Sequence, residues 1–405
     1  MRTGASGGTA DAVVVGGGTV GGWCAWFLRQ AGLERVVLVE RDVMGKGASS
    51  RAAGMVRAQG GTPWAVRLGM WSQAFYRAQR EEIGVDSGFV ATGYLMPAFT
   101  DSQAEAGRAR VAMQAALGLD VSWISPDEAA ELFPAMARGA HVGGSYAPGD
   151  GYVDPPRNVV AYATACARDG VEVRERTEFL GLRWGEDGAV AAVETSSGPI
   201  ATERVVLTGG PDMAAVGERA GTRITAGGAR HQVAVTEPSP ELAAERVRMV
   251  FDLTEGMYWR PEEGGVLFGM SNPAEPPGPA RTVDWPYLEA VRTRLGDLLP
   301  ATRGLGLRRV WAATIEYTPD HLPIVGPALC SDERPMPGVT VACAGGHGMM
   351  WGPALARVAA DLALERTTEV LDADALGLGR FDAHGRSALA ADPVSLPYPE
   401  RTDAP

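Results

Sequence analysis

Asp11-Ala12-Val13-Val14-Val15-Gly16-Gly17-Gly18-Thr19-Val20-Gly21, with Val36-Val37-Leu38-Val39-Glu40 further on, decides the fold of this 405-residue chain. Ala12–Val15 is a short apolar run of the kind that makes a buried parallel strand. Gly16-x-Gly18-x-x-Gly21 follows it directly. That spacing permits a tight turn, brings backbone N–H groups close to a pyrophosphate, and sets a helix N-terminus behind them. The helix is predicted over 20–31, with Gly32 as its C-terminal cap. Val36–Val39 reads as the second strand, and Glu40 ends it nineteen residues after Gly21. A carboxylate there accepts hydrogen bonds from both ribose hydroxyls and repels a 2′-phosphate. The competing reading is a glycine-rich turn in some other α/β fold. On these residues alone FAD and NAD both fit, and no second fingerprint points to separate FAD and NAD(P)H units.

Working outward, 45% hydrophobic and 21% charged residues describe a globular chain. Gly (53) and Pro (28) make up a fifth of it, against about 12% ordinarily, which implies many tight turns and close backbone approaches. The net charge of −12 argues against nucleic-acid binding, and no basic run offsets it. Cys24, Cys166, Cys330 and Cys343 suit neither a disulfide framework nor a zinc site, so a reducing cytoplasm is expected. Residues 1–8 lack the apolar core of a signal peptide, and no apolar run reaches the roughly 18 residues of a membrane span. Residues 1–10 and 391–405, small, polar and proline-rich, are expected to be loose tails.

Periodicity predicts helices over 61–83, 155–169 and 284–299, and short strands at 171–173 and within 188–207. Strands at 231–235, 248–253, 257–260, 266–270 and 308–316 suggest an antiparallel sheet in the middle of the chain. Near the end, Gly345, Gly346 and Gly348 let a backbone lie flat against a ring, and Pro353 is read as opening an apolar helix over 354–364. A helix N-terminus aimed at a flavin would stabilise the anion formed on reduction.

Glu40-Arg41-Asp42 and Gly47-Ala48-Ser49-Ser50-Arg51-Ala52-Ala53-Gly54-Met55 together resemble the flavin-approach segment of the D-amino-acid-oxidase-like (DAO) family, FAD-dependent oxidoreductases that include sarcosine and glycine oxidases. Further blocks fit it: Asp150-Gly151-Tyr152-Val153-Asp154-Pro155, Gly170-Val171-Glu172-Val173, and Val205-Val206-Leu207-Thr208-Gly209-Gly210. So do Thr318-Pro319-Asp320-His321-Leu322-Pro323 and Gly345-Gly346-His347-Gly348-Met349-Met350. The resemblance runs over roughly 11–365 and is nearest the sarcosine oxidase β, glycine oxidase and dimethylglycine dehydrogenase branch.

The fold so implied is α/β: a Rossmann-like FAD-binding domain (11–86, 150–215 and 320–375) interleaved with a substrate domain of antiparallel β-sheet plus helices (87–149 and 216–319). The resemblance implies FAD held by Gly16, Gly18, Thr19, Val20, Gly21, Glu40, Arg41, Ser49, Ser50, Ala53, Gly54, Met55, Thr208, Gly209, Gly346, His347, Gly348, Met349 and Met350, with the Val173 main chain against the adenine. Ala313 and Arg51 stand where relatives carry a flavin-linking Cys or His, so non-covalent FAD is expected.

The implied reaction is oxidation of a small-molecule amine or amino acid, a secondary or N-methyl amine being favoured. The free amine loses its α-hydrogen as hydride to flavin N5, and an imine results. No strong side-chain base is required. Leu267 stands where monomeric sarcosine oxidases carry an oxygen-activating lysine, so either O2 or another electron acceptor is expected. Arg57 is the candidate clamp for a substrate carboxylate, with Tyr258 and Arg260 behind it; the rival readings are an ion pair for Arg57 and packing for Tyr258. His347 either acts in catalysis, tuning the flavin or touching substrate, or only bonds locally, and Trp351 is expected to join Met349 and Met350 in an apolar wall. His141, His231, His321 and His384 are scattered, so no metal is expected. A flavin 2-hydroxy-acid dehydrogenase, a non-catalytic FAD-binding subunit and, last, an NAD-only dehydrogenase are the remaining alternatives, and an oligomer is left open.

Overall fold

Ala12–Val15 alternates between two apolar cores. Ala12 and Val14 join one cluster with Trp23, Leu28 and Leu355; Val13 and Val15 join another with Phe179, Met213 and Ile324. A strand buried on both faces needs apolar residues at every position, which explains the unbroken run. It is flanked in parallel by Val36–Val39 and Val205–Leu207, with Val14 opposite Leu38 and Val206. The six strands run in the order Ile324–Leu329, Pro335–Cys343, Val205–Leu207, Ala12–Val15, Val36–Val39, Glu172–Arg174. Only the Ile324–Leu329 edge is antiparallel. This computed structural model describes residues 9–280 and 282–395.

One face of the sheet carries the helices Thr19–Gln30 and Gly348–Ala363. Trp23 meets Phe75 of the helix Pro63–Ala78 edge-on, ring centroids 4.8 Å apart. The closing helix corrects the expected start at Pro353: it begins five residues earlier, with the proline inside. Proline cannot donate to the carbonyl four residues back and its ring crowds that carbonyl. Here the Tyr76 hydroxyl donates to that carbonyl, Met349 O, at 2.9 Å.

A second sheet holds eight strands, in the order Leu307–Tyr317, Gly227–Thr236, Gly265–Met270, Met257–Glu262, Met249–Asp252, Tyr94–Pro97, Gly144–Ala147, Ser122–Ile124. All neighbours are antiparallel except Met249–Asp252 beside Tyr94–Pro97. One face packs on the helix Trp285–Leu298 through Leu288, Val291 and Leu295. The other face, with Tyr94, Phe251 and Tyr258, turns toward the large cavity.

Residues 1–8 and 396–405, expected to be loose, lie outside the described residues. Ala10 is buried, and its N–H donates to Ala201 O at 2.8 Å. Residues 391–395 also depart from the expectation: Asp392 is 2% and Val394 0% exposed. One apolar side chain and a carboxylate with two backbone partners hold this segment down.

Candidate active site

A cavity of about 480 Å³ takes its walls from both sheets. At one end Gly16 turns with φ +107°, where a Cβ would meet Thr208 O at 2.5 Å. Only glycine fits such a turn. Gly21 does not line the cavity; its missing side chain lets the helix start against Gly16, whose carbonyl oxygen would lie 1.9 Å from a Cβ. The helix has no side-chain cap at Gly18, and Thr19 N–H donates to Ser49 Oγ at 3.0 Å. Glu40 accepts from Gly17 N–H at 2.7 Å and Asp42 N–H at 2.9 Å, so it braces the glycine turn. Gly17 was not singled out in the sequence, although it sits inside the fingerprint.

Arg41 reaches across the cavity mouth to Asp212 at 2.6 Å. Val173 stands opposite Leu38 on the edge strand of the parallel sheet and is not among the cavity-wall residues. Thr177, Glu178 and Phe179 form the wall beside Glu40 instead, Thr177 N–H donating to Glu40 O. Ser50 also stands back from the cavity, whereas Thr19, Val20, Ser49, Ala53, Gly54, Met55, Thr208 and Gly209 line it.

The far part is roofed by Gly346 (φ +90°), His347, Gly348, Met349 and Met350. These begin the closing helix, which likewise has no side-chain cap. Uncapped first-turn N–H groups and the helix dipole favour negative charge there. His347 Nδ1 pairs with Gly345 O at 3.1 Å, and its buried Nε2 has no partner among the described residues. Burial, then the nearby Arg57 charge, push its pKa well down, so the ring is neutral. Trp351 is a correction: it packs against the His347 ring inside the apolar core, away from the cavity.

Two uncapped helix starts, a glycine cradle and a ribose-suited carboxylate along one cavity fit an elongated dinucleotide such as FAD. Ala313 and Arg51 both line it.

Between the sheets lies Arg57, 3% exposed and lining the cavity. Its guanidinium donates to Gln59 O and, at 2.6 Å, to Val394 O, and sits 5.5 Å from the Phe251 ring centre. Among the described residues its partners are these two carbonyls and the Phe251 ring, with no ion pair among them. Burial lowers its pKa, and the carboxyls of Asp150 and Asp392 oppose this from a distance. Arg260 is withdrawn as a second clamp: it pairs with Glu262 at 2.6 Å, lies over the Tyr152 ring and does not line the cavity. Leu267 is buried in the core behind Tyr258.

Tyr258 lines the cavity, opposite Gly269 in the sheet, whose bare backbone leaves room for the phenol. Its hydroxyl pairs with His231 Nε2 at 2.5 Å. His231 Nδ1 meets Ser271 Oγ at 2.8 Å, and Ser271 Oγ meets Tyr317 OH at 2.9 Å. Burial drives the His231 pKa down to about 4, and burial raises that of Tyr258. The resting pair is therefore neutral imidazole and neutral phenol. Glu316 is a further wall residue missed in the sequence: it accepts from Ala344 N–H at 2.6 Å, and burial raises its pKa.

Residues 11–362 match the profile of the family described as DAO, FAD dependent oxidoreductase. The chain is 31% identical over 385 residues to glycine oxidase of Geobacillus kaustophilus, covering 91% of this chain and 97% of that one. It is 26% identical over 384 residues to 4-methylaminobutanoate oxidase (formaldehyde-forming) of Paenarthrobacter nicotinovorans, covering 92% of this chain. It spans only 46% of that relative's length. The solved structure of L-proline dehydrogenase from P. horikoshii matches with a TM-score of 0.84 at 25% identity, over 91% of this chain and 96% of that one.

Proposed function

The chain belongs to the DAO family of FAD dependent oxidoreductases, and from that premise we propose that it oxidises a small secondary or N-methyl amine carrying a carboxylate. The observation that carries this reading is Arg57: a buried guanidinium with no ion-pair partner among the described residues, facing the same cavity as the two uncapped helix starts. A buried charge without a counter-ion is costly, and a substrate carboxylate supplies one. Related proteins are named for 4-methylaminobutanoate and L-proline, both secondary amines with a carboxylate, and for glycine, a primary amine with a carboxylate.

Bound non-covalently, FAD supplies the two-electron acceptor for the substrate α-hydrogen. The Gly16–Gly21 turn, Glu40, and the first turn at Gly348–Met350 are the residues that would hold it. Arg57 binds the carboxylate and so fixes which C–H bond faces the acceptor. The substrate enters as the free amine, and the Tyr258 hydroxyl, held by neutral His231, offers its oxygen as a hydrogen-bond acceptor that orients the amine N–H. Met349 and Met350 give an adaptable apolar wall for an N-methyl group or a ring. Lys46, the chain's single lysine, pairs with Asp42 at 2.8 Å beside Glu40. That placement, and Leu267 in the core, support an electron acceptor other than O2. Four free cysteines support a reducing cytoplasm.

The test is Arg57→Ala in the holoenzyme, with amino acids compared against amines lacking only the carboxyl group. Loss of one buried charge-assisted contact raises the KM for the amino acid by about tenfold or more. An unchanged KM removes the role.

A further inference from the structure

Carbonyl groups hold a guanidinium without neutralising it, and one of the two that hold Arg57 comes from a segment 337 residues further along the chain. We propose that residues 392–394 form a strap that positions Arg57 and thereby sets the preference for carboxylate-bearing substrates; this rests on the reading of Arg57 given above.

The strap is tied at three points. Asp392 Oδ1 accepts from Gly61 N–H at 3.0 Å, which joins the strap to the segment carrying Arg57. The same oxygen accepts from Val394 N–H at 2.8 Å, folding the strap on itself so that the Val394 carbonyl meets the guanidinium. Asp392 N–H donates to Asp320 O at 3.0 Å. Asp320 is itself locked by a buried ion pair with Arg380 at 2.7 Å. The Val394 side chain, fully buried, packs with Tyr94, Phe251 and Tyr258, all three of them cavity-wall residues.

Guanidinium has five N–H donors in a rigid plane. Two are spent on Gln59 O and Val394 O. Because carbonyls accept without cancelling charge, the remaining donors keep the full positive charge for a carboxylate, and the plane is fixed before substrate arrives. Without the Val394 contact the arginine keeps only Gln59 O as a hydrogen-bond partner, and each substrate would have to order its plane anew.

The experiment uses holoenzyme Asp392→Ala, Asp392→Asn and Val394→Gly, with Arg57→Ala in parallel. The substrates are the amino acid that reduces the flavin fastest and the amine lacking only its carboxyl group. Flavin content and melting temperature establish that each variant is folded. Asp392→Ala is expected to raise the KM for the amino acid about tenfold, with kcat little changed and the amine unaffected. Asp392→Asn keeps the accepting oxygen and is expected to restore near wild-type values; Val394→Gly, which loses only the apolar anchor, repeats the selective loss. Parallel loss on both substrates, or no loss on either, overturns the strap. If Arg57→Ala itself fails to separate the two substrates, the reading of Arg57 falls and the strap with it.

Discussion

Gly21→Ala isolates what the glycine turn does. A Cβ at 21 would sit 1.9 Å from Gly16 O and 2.5 Å from Thr208 Oγ1. Carbon–oxygen contacts ordinarily begin at about 3.3 Å, so the turn must give by roughly 1.4 Å. Overpacking of this kind costs about 1–3 kcal/mol, and the better helix propensity of alanine returns up to about 1 kcal/mol. An overlap of about 1.4 Å with backbone belongs to the upper part of that range, about 2–3 kcal/mol, so the net is about 1–2 kcal/mol. The strain falls on the loop whose N–H groups would face the pyrophosphate, so opening it weakens FAD binding about 5- to 30-fold. Gly47→Ala is the matched control: it lines the same cavity, and nothing lies within 4 Å of its Cβ position. Its affinity should stay within about twofold. The assay is titration of FAD into apoprotein prepared by acid release, read by flavin fluorescence. Unaltered affinity in Gly21→Ala, or an equal loss in Gly47→Ala, refutes the reasoning.

Tyr76 and Pro353 should be coupled. Tyr76→Phe leaves Met349 O without its donor and costs about 1 kcal/mol or more, yet it should be nearly neutral in a Pro353→Ala background, where residue 353 regains an N–H for that carbonyl. Urea unfolding of the four proteins checks this; equal costs in both backgrounds would dismiss it. His231 makes stability pH-dependent. Its folded pKa is about 4 against an ordinary 6.5, so between those values the unfolded chain binds more protons. Stability therefore rises with pH through that window, by up to about 3 kcal/mol, and is flat above it. The wild-type minus His231→Gln difference in unfolding free energy should trace this rise; a flat difference from pH 4 to 7 would contradict it.

Much of the parallel sheet is legible because its signals are local. Ala12–Val15 is apolar at every position because both faces are buried, and the glycines follow at the spacing a helix start requires. The strands Tyr94–Pro97 and Gly144–Ala147 escape notice because each is short and partnered by distant chain; Tyr94 faces Met249. His231 is invisible as a site residue because its place depends on register. It lies opposite Ala313, and it reaches Tyr258 only because Gly269 has no side chain. Proline habitually opens helices, and only a hydroxyl from another helix makes Pro353 tolerable inside one. Val394 stands in a proline-rich stretch with polar neighbours, and no periodicity reveals that it packs under the cavity wall.

Amine oxidation through a bound flavin is tested most directly by anaerobic mixing of the yellow protein with N-methyl and cyclic amino acids, followed at the visible flavin band. The account predicts rapid bleaching by at least one of them and none by the matching 2-hydroxy acids. A protein that takes up FAD yet stays oxidised with every amine, or bleaches only with hydroxy acids, would contradict it.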